Sequence, residues 1–184
     1  VPWAAVSGVR AYVAVSGGVA VEPVLGSRST DLLSGLGPAP LTDGAVLPLG
    51  LPPDGRARVD VAPQPAPPAE LLLRVTPGPR DDWFAPAAVR VFTSRTYHVS
   101  PASNRIGLRT TGPALERARR AELPSEGVVL GAVQVPPDGT PVVFLADHPT
   151  TGGYPVIAVV RSTDLPAAAQ APPGTPVRFL AVRR

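Results

Sequence analysis

Apolar and polar residues alternate in short stretches that proline and glycine cut before they lengthen, which predicts many short strands joined by turns. Residues 9–15 (VRAYVAV) read as a strand, and Ser16-Gly17-Gly18 turns it back into residues 19–21 as a hairpin. Ser29 or Thr30 is placed to cap a short helical segment over residues 31–36, which Gly37-Pro38 stops. Residues 45–49 and 57–61 are strand candidates on either side of the turn Pro52-Pro53-Asp54-Gly55, and residues 63–69 (PQPAPPA) read as a polyproline connection. Beyond it, the continuous apolar run 71–75 predicts a buried strand, followed by strands at 89–92, 96–99 and 107–110. Residues 113–122 allow one or two amphipathic helical turns. The strongest hairpin signal joins 128–135 to 141–146 through Pro136-Pro137-Asp138-Gly139, because proline presets φ and Asp-Gly supports the turn. A strand at 156–161, a short helix near 164–170 and a last strand at 177–182 complete about ten strands, a β-barrel or sandwich with minor helices.

Composition sharpens this picture. The 26 prolines and 18 glycines among 184 residues exclude a mostly helical fold, because proline costs about 3 kcal/mol in a helix interior. Disorder is the weaker alternative, since 44% of residues are hydrophobic and mean hydropathy is +0.15. The length suits one domain, residues 1–184. All 17 basic residues are arginine, dispersed along the chain, and the net charge is only +3, so no nucleic-acid partner is expected. Without cysteine there is no disulfide framework or thiolate nucleophile, and two isolated histidines predict no metal site. No apolar run approaches the roughly 18–20 residues that span a bilayer, and the N-terminus lacks a signal-peptide layout, so a cytoplasmic protein without membrane contact is expected.

Four polar clusters sit beside predicted strands: residues 26–30 (GSRST), 103–105 (SNR), Ser125-Glu126-Gly127 with the downstream Gln134, and 147–155 (DHPTTGGYP). In the last, Gly152-Gly153 would let the backbone approach a bound group while Thr150, Thr151 and Tyr154 supply hydroxyls and a ring; the plainer alternative is a hairpin loop needing positive φ at Gly152. Asp147 and His148 suggest a triad with Ser103 or Ser125, but neighbours on extended backbone point to opposite faces, so Asp147 is poorly placed to orient its own neighbour. His98 reads as structural. Arg28 and Arg105 each offer a forked donor pair for a carboxylate or phosphate, or a salt bridge. Gln134 stands between Val133 and Val135, so it faces away from them, toward a polar site or solvent. Neither GxGxxG nor a Walker-type phosphate loop is present.

The blocks VRAYVAVSGGVAVEPVLGSRSTDL, LLLRVTPGPRDDWF, YHVSPASNRIGLRTTGP, LPSEGVVLGAVQVPPDGTPVVFLADHPTTGGYPVIAVV and PPGTPVRF, in this order from Val9 to Phe179, resemble the biotin-dependent carboxyltransferase-domain family, which includes allophanate hydrolase subunit 2 and the C subunits of 5-oxoprolinases. The resemblance implies a cyclophilin-like β-barrel. Family members begin with a further segment, with a glutamine-aspartate-glycine-arginine-like motif, that has no counterpart here, so the domain is expected to be N-terminally incomplete.

The function the resemblance implies is that of one component of a heteromeric, ATP-dependent amide or lactam hydrolase, foremost 5-oxoprolinase, which opens 5-oxoproline to glutamate. Its expected partners are a B-like carboxyltransferase protein and an A-like protein of the same complex, with ATP bound alongside them and a small-molecule substrate. Carried over residue by residue, Asn104, Arg105 and Gln134 are the catalytic candidates, and Arg28, Ser29, Thr151, Gly153 and Tyr154 the substrate-binding ones. Asn104 and Gln134 would hold an amide or lactam through donor and acceptor groups, and Arg105 would neutralise a carboxylate or oxyanion. One alternative is the carboxyltransferase component of a biotin-dependent urea carboxylase or amidolyase, with biotin presented by a partner because the chain has no lysine. The other is a non-catalytic regulator paired with a B-like kinase inhibitor.

Overall fold

In β1 (Leu71–Pro77), Leu71, Leu73 and Val75 are buried while Leu72 and Arg74 are exposed. The apolar run therefore makes a half-buried strand with period-two alternation, where continuous burial was expected. The computed structural model describes residues 8–55, 66–119 and 121–182. They divide into two compact units, one formed by Val1–Arg10 with Ala66–Arg184 and the other by Ala11–Pro65.

The first unit is a mainly β closed barrel. After β1 come β2 (Tyr97–Val99), β3 (Gly107–Thr111), β4 (Glu126–Gly127), β5 (Ala132–Gln134), β6 (Val142–Phe144), β7 (Thr151–Gly152), β8 (Val156–Val160) and β9 (Pro176–Ala181). The barrel order is β1-β8-β5-β6-β3-β2-β9, and β4 pairs separately with β7. β9 returns alongside β1 in parallel, from Leu71↔Val177 to Val75↔Ala181, whereas the other barrel neighbours are antiparallel. The core runs through Leu71, Leu73, Val75, Val133, Val143, Val177 and Phe179. Phe179 stacks on Phe92 at 4.3 Å between ring centroids and meets Tyr97 edge-on at 5.7 Å.

Two short helices, α1 (Pro86–Ser94) and α2 (Leu165–Ala169), accompany the barrel. Residues 89–92 belong to α1, a correction to the predicted strand. Pro86 at the first helical turn presets φ, Ala87 and Ala88 favour helix, and Ala88 and Phe92, four residues apart, bury one face. Residues 113–119 and 121–122 form no helix; Arg117 instead bridges Phe84 in extended conformation.

The strands expected at 9–15, 19–21 and 45–49 are absent; the second unit has instead the isolated bridges Val19↔Leu49 and Val24↔Ser27 and the hydrogen bonds from Ala20 N–H to Pro48 and from Gly50 N–H to Gly18. Gly17 and Gly50 touch backbone to backbone; a Cβ on Gly17 would lie 2.1 Å from the Gly50 carbonyl. Residues 31–36 make a turn, not a helix: Asp31 Oδ1 accepts from Leu33 N–H, and Thr30 donates to the Pro38 carbonyl. Residues 11–55 contain no buried residue, so the alternating pattern has no core to face. The predicted strand 57–61 and residues 63–65 of the connection lie outside the described residues.

Tyr97 is fully buried and its hydroxyl has no partner among the described residues; burial pushes its pKa up to about 12. The folded state therefore keeps a proton that the unfolded chain gives up near pH 10, so stability falls as pH rises from there to about 12. Tyr97→Phe is expected to remove this alkaline decline and leave neutral-pH stability equal or raised by about 1 kcal/mol, because no hydrogen bond is lost. Urea unfolding at pH 7, 10 and 11 measures both; a loss above about 1 kcal/mol at pH 7 would contradict it.

Candidate functional site

Gln134 ends β5 opposite Val142 of β6 and Val156 of β8. Its neighbours Val133 and Val135 point into the core, and Gln134 itself is 6% exposed, so the face turned away from them is neither solvent nor apolar filler. Its Nε2 donates to the Tyr154 carbonyl at 3.0 Å. Gly152 lies against the same amide: a Cβ there would sit 2.6 Å from Nε2. Gly152 has no positive φ, contrary to the hairpin expectation; it is a residue of β7, and what its missing side chain admits is the Gln134 amide.

Arginines frame this end of the barrel. Arg117 donates from its terminal nitrogen to the Val135 carbonyl and lies over the Tyr154 ring, 5.8 Å from the centroid. Arg80 holds Glu126 of β4 through a forked pair, Nε to Oε2 at 3.0 Å plus a second contact to Oε1. These hydrogen bonds hold the Glu126 carboxyl below its ordinary pKa. The β4–β7 ladder carries Thr151 opposite Gly127, with its side chain exposed, and Gly153 and Tyr154 follow exposed.

Asn104 and Arg105 lie at the other end of β6. Gly107 pairs with Phe144, so the turn preceding β3 extends past that end, whereas Gln134 sits by Val142 at the start of the strand. Asn104 Oδ1 accepts from the N–H groups of Ile106 and Gly107 at 2.9 and 3.2 Å, an Asx turn that leads the chain into β3. Arg105 Nε meets Asp147 Oδ2 at 2.9 Å. Asp147 is thus committed to Arg105, His148 donates from Nδ1 to the Pro149 carbonyl, the Ser103 hydroxyl is bound to Arg109 backbone, and Ser125 is exposed. The triad does not assemble. His98, expected to be structural, turns outward from β2.

The segment from Asp147 to Tyr154 therefore connects the two ends, tied to Arg105 at one and to Gln134 at the other. Arg28 and Ser29 belong to the second unit: Arg28 Nε donates to the Val21 carbonyl at 2.9 Å, and the Ser29 N–H donates to Ser27 Oγ at 3.1 Å.

Sequence reasoning missed Arg10. Its backbone is clamped by Gln170, whose Oε1 accepts from the Val9 and Arg10 N–H groups at 3.1 and 2.9 Å while Nε2 donates back to the Arg10 carbonyl at 3.0 Å. Arg10, Ser103 and Asn104 line one cavity of about 200 Å³ whose other walls include Val99, Leu108 and Leu145. No local signal announces a partnership 160 residues apart.

The profile of the family described as carboxyltransferase domain, subdomain A and B, matches residues 3–181. The chain belongs to this carboxyltransferase-domain family. It is 40% identical over 180 residues to a protein of Escherichia coli (strain K12) named as the C subunit of 5-oxoprolinase, covering 94% of this chain and 56% of that one. The Haemophilus influenzae protein of the same name is 33% identical, with 95% and 57% covered. The chain thus spans a little over half the length of these curated relatives. Among solved structures, the urea amidolyase of K. lactis superposes with a TM-score of 0.81 at 27% identity, over 97% of this chain and 12% of that one. The carboxyltransferase-domain chain is therefore the mainly β barrel that its motifs implied.

For this family member, Gly152→Ala is expected to displace the Gln134 amide and break its bond to Tyr154, costing about 1–2 kcal/mol. In a Gln134→Ala background the same substitution should cost much less. A double-mutant cycle by urea unfolding reads the coupling; additive losses would mean that the two residues do not constrain each other.

Proposed function

We propose that this carboxyltransferase-domain chain is part of the C subunit of a multi-component 5-oxoprolinase, a hydrolase that opens the lactam of 5-oxoproline to glutamate with ATP hydrolysis in the assembled complex. The single observation that carries this reading is the 40% identity to the E. coli 5-oxoprolinase C subunit over 94% of the chain. Urea amidolyase, the biotin-dependent alternative, is supported by a TM-score of 0.81 at 27% identity for the K. lactis structure and by 34% identity to the Lachancea kluyveri protein over 95% of this chain, below the 40% of the E. coli relative. That reading requires dependence on a biotinylated partner, which the 5-oxoprolinase reading does not.

ATP does not fit this chain's own groups. It has no lysine and no glycine-rich phosphate loop, so in this reading a partner component holds the nucleotide. What this chain offers is recognition. Asn104 spends its carbonyl on the turn and keeps Nδ2 as a donor, suited to an acceptor on the substrate. Arg105, about half-exposed beside Asp147, places positive charge at the same end for a carboxylate or a developing oxyanion. Gln134 acts differently in this reading. Its bond to Tyr154 makes it a positioning residue for the segment that carries Thr151, Gly153 and Tyr154.

A need for partners, taken to be the A-like and B-like proteins, is supported by the second unit. Residues 11–55 bury nothing, and Tyr12, Val46 and Leu51 are each more than 80% exposed. Val46→Asp combined with Leu51→Asp is expected to reduce co-purification with the B-like partner while shifting the chain's own stability by less than about 0.5 kcal/mol. Undiminished co-purification would remove this surface from the interface.

The functional test is ATP-dependent glutamate release from 5-oxoproline by this chain co-expressed with the A-like and B-like proteins, each omitted in turn. Turnover should vanish without this chain. In the complete complex, Gln134→Ala should lower kcat by about tenfold or more with a smaller change in KM, the pattern of a misplaced loop. No turnover in any combination, with the B-like partner still bound, would favour the regulator.

A further inference from the structure

The cavity beside Asn104 is one-sided in its chemistry. Its walls are apolar at Val9, Val99, Leu108, Leu145, Ala171 and Pro173. The polar residues that line it are Arg10, Ser103 and Asn104. The Ser103 hydroxyl is used up, accepting from Arg109 N–H at 3.0 Å and donating to the Arg109 carbonyl at 3.2 Å. The Asn104 carbonyl is used up by two N–H donors, which also fixes which way the amide points. Among the lining side chains only donors are left over: the Asn104 amide NH₂ and the Arg10 guanidinium.

Arg10 carries an uncompensated charge. Its guanidinium donates to the neutral carbonyl of Ala169, and it pairs with no carboxylate among the described residues. It is also held in place. Gln170 grips the backbone on both sides of it, and Gly8, at φ +82°, brings the chain so close to Gln170 that a Cβ would lie 2.8 Å from Oε1. A cation among the lining residues of an apolar cavity, beside a second donor and with no side-chain acceptor left free, selects an anion with an apolar body.

We propose that this cavity is a binding site for a small cyclic carboxylate, with Arg10 as the partner of its carboxylate and Asn104 Nδ2 as a second donor. Size agrees: a cavity of about 150 Å³ is enough for a benzene ring, so about 200 Å³ takes a five-membered ring bearing one carboxylate. The carboxylate class follows from the cavity itself. Its lactam member, 5-oxoproline, rests on the function proposed above, and Arg10 would then grip the substrate's carboxylate while Asn104 donates to its lactam oxygen.

The test is calorimetric titration of the 184-residue chain with three probes: cyclopentanecarboxylate, 5-oxoproline and 2-pyrrolidinone, the lactam without a carboxylate. Both carboxylates are expected to bind, and 2-pyrrolidinone at least about tenfold more weakly. Arg10→Gln should weaken both carboxylates by about tenfold or more, whereas Arg90→Gln, which removes the same charge from α1, should change neither by more than about twofold. Asn104→Asp guards against misfolding, because its carboxylate still accepts from Ile106 and Gly107 while repelling the ligand; it too should weaken both carboxylates. Unchanged affinity in Arg10→Gln, equal binding of 2-pyrrolidinone, or no binding of either carboxylate would each overturn the site. The two proposals fail separately. Turnover of 5-oxoproline that survives Arg10→Gln with unchanged KM overturns the cavity and leaves the place in 5-oxoprolinase standing, whereas Arg10-dependent carboxylate binding without turnover in any combination does the reverse.

Discussion

The parallel pairing of β1 with β9 is the constraint on which the barrel rests. Without it the remaining antiparallel ladders would leave an open sheet with two bare edges, each a row of unpaired backbone groups. The five paired positions also bring Leu71, Leu73 and Val75 beside Val177 and Phe179, and Phe179 in turn carries the contacts to Phe92 and Tyr97. Closure and core formation are therefore one event. It joins residues more than a hundred apart in the chain, so its entropy cost is met by a buried aromatic cluster rather than by local structure.

With the barrel closed, β6 becomes a short bar with polar groups at each end. One end carries a buried amide, Gln134, and the other an Asx turn and an Arg–Asp pair. Register, not side-chain reach, separates them: Gln134 lies by Val142, whereas the Asn104 turn lies past Phe144. The segment between Asp147 and Tyr154 is hydrogen-bonded or ion-paired to both ends, so a shift at one has a covalent route to the other. A buried polar side chain in a barrel wall costs stability unless satisfied, and the Tyr154 carbonyl is what satisfies Gln134.

The legibility of this molecule in its sequence follows where each element's information resides. The hairpin between β5 and β6 was readable because Pro-Pro-Asp-Gly specifies its own turn, and Gln134 stood out because alternation put it opposite two valines. Residues 89–92 misled because Val-Arg-Val-Phe alternates like a strand; the deciding signal was upstream, in Pro86 and two alanines. Residues 9–49 misled more deeply, since β-forming residues make strands only when another backbone pairs with them and a core takes one face. The Arg10 clamp was illegible because Gln170, which makes it, resembles any other polar residue near the end of a short helix.

The second unit poses a different physical question, because its backbone is specified and its side chains are not buried. Glycine contacts at Gly17 and Gly50, the Asp31 turn and the Thr30–Pro38 bond define its path. Yet Tyr12, Leu33, Val46 and Leu51 all stand in solvent. Turns of this kind each contribute about 1 kcal/mol and do not by themselves offset the entropy of ordering some forty residues. Apolar burial is the remaining source of stability, and within these residues there is none. A segment built this way takes its path from glycine contacts and side-chain-to-backbone hydrogen bonds, and leaves its apolar side chains uncovered among the described residues.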